Sequence, residues 1–297
     1  MSQKPPQIFD RALLRQRKAR TMTAAGAHDF LFREVGDRLL ERVGEINRRF
    51  DQVLVLGEPI AGLETALPNA RLVRAWNRPG PGRDLVLDEE YLPFKPASFD
   101  LVLALGGLHW VNDLPGCLIQ LRHCLRPDGL LLAAMAGGNT LQELRQAFLE
   151  ADLEAHGGAS PRIAPFADVR DIGGLLQRAG FAMPVADADR ITVHYRRIDD
   201  LLADLRGMGE SAAMVARAAA PTRRDALGAM AAAYQRRYMT DAGLLPASFD
   251  IVYLSGWAPA AGQPKPKKPG SATARLADAL GTREFPAGDK AGPKTGK

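Results

Sequence analysis

The chain has 297 residues, 46% of them hydrophobic, which suffices for one large core and a small subdomain besides. No run of eighteen apolar residues occurs, and Met1 to Asp10 lacks an apolar signal core, so neither a membrane span nor secretion is expected and a cytoplasmic protein is the simplest reading. The formal charge of +5 resides in the tail: Gln263 to Lys297 holds eight Lys or Arg and three Asp or Glu, leaving 31 of each sign elsewhere, so the body gives no basic face for nucleic acid.

In chain order, Phe9 to Val43 reads as one amphipathic entry helix, with Phe30, Leu31, Val35, Leu39, Leu40 and Val43 on a single stripe between many arginines. From Gln52 the pattern turns to short apolar runs bounded by Gly, Pro, Asn and Asp: QVLVLG, RLVRAW, DLVL, FDLVLALG and GLLLAAMAG. Such runs, alternating with helical segments, predict an α/β fold of parallel strands covered by helices on both faces. Leu114 to Leu125 reads as a helix ending at LRPDG, where Pro127 and Gly129 would turn the chain into the next strand. It carries Cys117 and Cys124 on one face without further metal-ligand partners, so buried free thiols are expected. Thr140 to His156 and Val169 to Ala179 are helical, the second closed by Gly180. ITVHY and FDIVYLSGW read as strands, and the Ala-rich stretch Asp199 to Met239 between them as a helical lid. The expected organisation is an N-terminal helical segment over 1–50, a main domain over 51–262 with its lid at about 197–240, and a basic disordered tail over 263–297 whose Pro- and Gly-rich sequence offers little apolar surface to offset ordering.

In an open parallel sheet ligands bind beyond the carboxyl ends of the strands. The first such turn, VLVLGEPIAGLETAL, has Gly57 and Gly62, but Pro59 between them removes an N–H donor and stiffens the loop. After the second run stand Trp76, able to stack on a ring but more readily a packing aromatic, and Asn77, able to donate and accept hydrogen bonds. After the third come Asp88, Glu89 and Glu90, which either accept from an exocyclic amine or form a solvated acidic turn. After the fourth, His109 and Trp110 follow two glycines; imidazoles titrate near neutrality, so His109 is either a general base, a holder of the acceptor group, or a packed side chain. No Ser/His/Asp order, HExxH, CxxC pair or P-loop is present, which leaves hydrolase, zinc-enzyme and kinase readings without support.

The segments IFDRALLRQRKAR, LDEEYLPF, SFDLVLALGGLHWVNDLP, LRPDGLLLAAMAGGNTLQELR, SPRIAPFADVRDIGGLLQRAGF, LRGMGES and GSATARLADAL run in this order over almost the whole chain. Together they resemble the mitochondrial complex I assembly factor 5 family and its bacterial relatives, a group similar to the malonyl-carrier methyltransferase of biotin synthesis. The resemblance implies a seven-stranded, doubly wound, Rossmann-like class I methyltransferase sheet with a helical lid, and S-adenosylmethionine as cofactor. It also implies a protein partner, a subunit of respiratory NADH:quinone oxidoreductase (complex I), acted on by methyl transfer or arginine hydroxylation. No transmembrane segment is implied, and peripheral membrane association stays open.

Carried over by position, Gly57 matches the first glycine of the binding turn, Asp88 the acidic residue after the third strand, and Leu108, His109 and Trp110 the loop after the fourth; Gly207 to Ser211 matches a lid stretch. The cofactor-binding candidates are thus Gly57, Glu58, Asn77, Asp88, Glu89 and Leu108, and the catalytic candidates His109 and Trp110. Where the family turn reads L-D-L-G-C-G-R-G, this chain has Val55, Pro59 and Ala61 in place of the acid and two glycines, and Trp76 stands where the family has an acidic residue after the second strand. Loss of that ribose-facing carboxylate removes a charge-assisted hydrogen-bond pair worth roughly 1.5 to 3 kcal/mol. The alternative reading is therefore a methyltransferase fold kept as a chaperone or scaffold while the cofactor site decays.

Overall fold

The apolar runs become strands: β1 Gln52–Gly57, β2 Arg71–Trp76, β3 Leu85–Val86, β4 Phe99–Leu105, β5 Leu125–Ala136, β6 Ala182–Tyr195 and β7 Leu245–Trp257. The computed structural model describes residues 6–21, 28–80, 82–156, 158, 160–217, 222–264, 271 and 274–283. The strands form one seven-stranded sheet in the order β3-β2-β1-β4-β5-β7-β6. Strands β1 to β5 pair in parallel, and β7 runs antiparallel to both β5 and β6. The chain order reverses between β1 and β4, so the crevice of a doubly wound sheet falls at the carboxyl ends of those two strands.

The helices are α1 Arg11–Arg20, α2 Phe30–Gly44, α3 Leu63–Ala66, α4 Leu114–Cys124, α5 Gln142–His156, α6 Val169–Arg178, α7 Ile198–Gly207, α8 Arg224–Tyr238 and α9 Leu276–Leu280. Side chains alternate across each strand, so β1 sends Val53 and Val55 into one core layer and Leu54 and Leu56 into the other. The first layer is closed by α2, α5, α7 and α8 through residues such as Leu39, Leu144, Leu201 and Tyr234. The second is closed by α4 and α6 through Leu118, Leu121, Ile172 and Leu176. Each fully buried leucine contributes roughly 1.5 to 3 kcal/mol. A third, smaller cluster of Phe9, Leu14, Trp110, Ala164, Ala213 and Met214 fastens the start of the chain over the sheet rim.

Several expected boundaries shift. The single entry helix is two: Asp10 caps α1, accepting from the Leu13 N–H at 2.9 Å, and α1 ends at Thr21, whose hydroxyl donates to the Lys18 carbonyl at 2.8 Å. The apolar stripe belongs to α2, while α1 buries Leu14 and Lys18, one turn apart. Residues 22–27 lie outside the described ones. LRPDG is not a turn preceding β5 but an excursion within it. Phe99 pairs with Leu125 and Leu101 with Leu130, Asp128 takes φ 64°, and the backbone groups of Asp128 and Gly129 exchange hydrogen bonds with Ala258. DLVL supplies only the two residues of β3. The stretch expected to be a lid holds two helices, α7 and α8, and α7 ends at Gly207, since Gly209 takes φ +74°, a conformation no helix continues through.

Cys117 and Cys124 are buried free thiols, and burial pushes the Cys124 thiol up to about 11. Met1–Ala261 makes one compact unit and Gly262–Lys297 another; most of the expected disordered tail lies outside the described residues, and α9 is within it. No helix among the described residues is long and apolar enough to cross a membrane.

Candidate functional site

At the crevice, β1 and β4 end so close together that Gly57, at φ +89°, has no room for a side chain: a Cβ there would lie 2.1 Å from the Leu105 carbonyl oxygen. The Glu58 N–H donates to that oxygen at 2.8 Å, and this turn aims the Glu58 carboxylate into the crevice. It meets Lys18 of α1. The ammonium, its side chain 1% exposed, donates to Glu58 Oε1 at 3.1 Å and to the Gly106 carbonyl oxygen at 3.2 Å, and it forms an ion pair with Glu210 Oε1 at 3.1 Å. Arg78 locks the arrangement from below, donating to the Lys18 carbonyl at 2.7 Å and approaching Glu58 Oε2 at 3.4 Å.

Beside this network, Trp76 at the end of β2 carries guanidinium groups stacked on its ring, Arg78 at 3.7 Å and Arg83 at 3.6 Å from the centroid. Burial, with Arg78 adding repulsion, pushes the Arg83 guanidinium down to about 10. The acidic residues after β3 are also engaged. Arg11 of α1 donates to Asp88 at 2.7 Å and to Glu89, and its other terminal nitrogen donates to the Trp110 carbonyl at 3.1 Å. Arg15 adds a bond to Asp88 at 2.9 Å, and Asn77 donates to Glu89 at 3.1 Å. Burial opposes the Asp88 carboxylate, but Arg11 and the Glu90 backbone N–H hold its pKa below the ordinary value.

The loop after β4 forms one 3-10 turn, Leu108–Trp110, that aims both ring side chains at the lid. His109 Nε2 lies 2.9 Å from Glu210 Oε2, and Trp110 Nε1 donates to the same oxygen at 2.8 Å. Leu108, 1% exposed, packs into the second core layer instead. Burial by itself would raise the Glu210 pKa and lower that of Lys18, yet the attraction between them reverses both: Glu210 drops to about 2, and Lys18 rises above the ordinary lysine value. Glu58, deeper in the crevice, is raised because burial outweighs Lys18 and Arg78. His109 Nδ1 is buried without a hydrogen-bond partner among the described residues and borders a small apolar cavity of about 50 Å³.

Seven of the eight candidate residues therefore face one rim, Leu108 being turned into the core, and the loops after β1, β3 and β4 converge there, joined by Arg11 and Glu210. What the sequence reading missed is Arg11, Lys18 and Arg78 as joining residues, and the part played by Glu210 within the matched stretch Gly207 to Ser211. Lys18 had one visible signal, its spacing of four from the apolar Leu14 within an otherwise polar run.

The residues as arranged do not fit S-adenosylmethionine. The position of a ribose carboxylate is Trp76, covered by guanidinium groups; the turn's N–H at Glu58 is used by Leu105 and Pro59 has none; the acids after β3 are neutralised by Arg11.

A family model described as a methyltransferase domain matches residues 52–133. The chain is 39% identical over 286 residues to "Arginine-hydroxylase NDUFAF5, mitochondrial" of Danio rerio, covering 91% of this chain and 89% of that one. It is 41% identical to the Homo sapiens protein of the same name, covering 90% and 81%. It is also 32% identical to a malonyl-[acyl-carrier protein] O-methyltransferase of Xylella fastidiosa (strain M23), covering 85% and 89%. The solved structure of Haemonchus contortus phosphoethanolamine N-methyltransferase 2 with S-adenosyl-L-methionine aligns with a TM-score of 0.50 at 14% identity, over 83% of this chain and 60% of that one, a likeness of fold. The mitochondrial designation of these relatives overturns the cytoplasmic reading, which had rested only on the lack of an apolar span and leader. With a Rossmann-like seven-stranded methyltransferase sheet and this identity over nine tenths of its length, the chain belongs to the NDUFAF5 arginine-hydroxylase family.

Proposed function

We propose that this chain is a protein-binding factor in the maturation of respiratory NADH:quinone oxidoreductase (complex I), a methyltransferase fold that engages a subunit of that enzyme while its own N-terminal helix closes the nucleoside crevice. The observation that carries the reading is Lys18, a buried ammonium ion-paired with both Glu58 and Glu210 beyond the end of β1. The assembly role is supported by membership of the family and by the motifs shared along the chain; the non-catalytic character is supported by Pro59, Trp76 and the Lys18 network acting together. Affinity capture of the tagged full chain from cells, with mass spectrometry of oxidoreductase subunits in the presence and absence of this protein, tests it. The expected result is a co-captured subunit whose arginines carry no methyl or hydroxyl group that depends on this chain. Recovery of no subunit contradicts it.

A second reading, an enzyme using S-adenosylmethionine once α1 is displaced, is favoured by one feature: the positive-φ glycines Gly57 and Gly106 and the acids Asp88 and Glu89 persist beneath the helix. With α1 removed, Asp88 would be free to accept from an exocyclic amine, and His109 and Trp110 would face the acceptor. A chain-dependent methylation or hydroxylation in the same experiment selects this reading.

A further inference from the structure

Glu210 and Trp110 also line a cavity of about 390 Å³ beside α7, a size typical of ligand sites. Much of its wall is apolar, with Phe148, Phe166 and Leu205, but four guanidinium groups reach it, those of Arg17, Arg162, Arg206 and Arg217. Two of the four are balanced. Arg162 pairs with Asp152 at 2.7 Å and donates to the Thr222 hydroxyl at 2.7 Å, and Arg217 pairs with Asp10 at 3.3 Å. Arg17 donates only to a neutral acceptor, the Ala212 carbonyl, and among the described residues neither it nor Arg206 forms an ion pair. Burial and the like charges of Arg217 and Arg20 lower the Arg17 pKa, with Asp10 opposing them in part. Glu210 is the one carboxylate among the described lining residues, and it is already engaged by Lys18, His109 and Trp110. The cavity thus offers two guanidinium groups that form no ion pair among the described residues, Arg17 half-buried and Arg206 exposed, above apolar walls, and its described lining holds no free carboxylate for an incoming cation.

We infer that this cavity receives an acidic side chain, Glu or Asp, which a partner protein presents beside an apolar residue, and that it excludes arginine. That the ligand is part of a protein rests on the function proposed above. A guanidinium group recognises a carboxylate through paired charge-assisted hydrogen bonds, the apolar wall takes the neighbouring side chain, and an arginine entering would meet Arg17 and Arg206 with nothing to neutralise it. The selectivity is thus opposite in charge to the arginine in the names of the family's relatives.

Fluorescence anisotropy of the full chain with labelled peptides acetyl-Leu-Xaa-Phe-Leu-amide, Xaa being Glu, Gln or Arg, tests the inference. The Glu peptide should bind about tenfold or more tightly than the Gln peptide, with the Arg peptide weakest. Arg17→Gln with Arg206→Gln should abolish the preference, while Arg17→Lys with Arg206→Lys, keeping both charges, should restore part of it; unchanged circular dichroism shows that both variants fold. Equal or tighter binding of the Arg peptide overturns the inference, as does absence of Glu-peptide binding at millimolar concentration or a preference that survives in the Gln variant. The two proposals fail separately: a captured subunit without Glu selectivity sinks the cavity assignment, and Glu selectivity without a captured subunit sinks the assembly role.

Discussion

The two halves of the site share one rim of one sheet, yet they are built in opposite ways. Over β1, β2 and β3 the crevice is closed by side chains of the chain itself, with Lys18, Arg11 and Arg78 set against Glu58, Asp88 and Glu89. Beside α7 a cavity of about 390 Å³ stays open, and two of its four lining arginines, Arg17 and Arg206, form no ion pair among the described residues. Glu210 touches both halves, lining the open one and adding a carboxylate to Lys18 in the closed one. The difference teaches that a fold and the site grafted on it separate: the sheet persists while one subsite is filled and its neighbour remains available.

The largest effect should come from breaking the closed half. Lys18→Ala leaves Glu58 and Glu210 facing each other across a buried gap, and loss of one partner of a buried pair costs about 3 to 5 kcal/mol, readable as a lowered urea midpoint. A loss below about 1 kcal/mol would mean that the crevice is not held shut by this network. Next comes acid. The Glu210 pKa is depressed from 4.5 to about 2, so its contribution is fully present above pH 4.5 and is lost as the pH falls through about 2. At ~1.4 kcal/mol per unit the contribution is about 3 kcal/mol, and Glu210→Gln should remove that part of the pH dependence of unfolding. Persistence of the same acid slope in the variant would place the titration elsewhere.

Asp10→Ala removes the cap of α1 and should cost about 1 kcal/mol by thermal unfolding, loosening the helix that closes the crevice without touching the network. The smallest effect belongs to the other end of β1, where Arg49 pairs with Asp51 at side-chain exposures of 74% and 58%. Arg49→Ala should change stability by less than about 0.5 kcal/mol, which sets the contrast between a solvated and a buried pair at opposite ends of the same strand.

How much of this was legible in the sequence follows from the range of each interaction. The strands announced themselves because QVLVLG and FDLVLALG are buried on both faces, and the glycines after them marked where the chain must turn. That Asp88 and His109 share a rim followed from parallel topology alone. The Lys18–Glu58 pair was not legible, because its partners lie 40 residues apart and a buried ion pair leaves no periodic trace in either segment. An arginine-rich helix reads as solvated unless one knows that carboxylates await it, and Arg11 finds Asp88 and Glu89 only once the sheet has formed. The split of the entry helix was hidden because the stripe of α2 is strong enough to mask the different buried face of α1.

The claim on which the account turns is that this chain closes its own nucleoside crevice. Isothermal titration calorimetry of the full chain with S-adenosylmethionine at millimolar concentration addresses it directly. The account predicts no saturable heat for the native protein, with binding emerging only when Lys18→Ala, Glu58→Gly and Trp76→Asp are combined; a one-site isotherm with a micromolar Kd for the unaltered chain would contradict it.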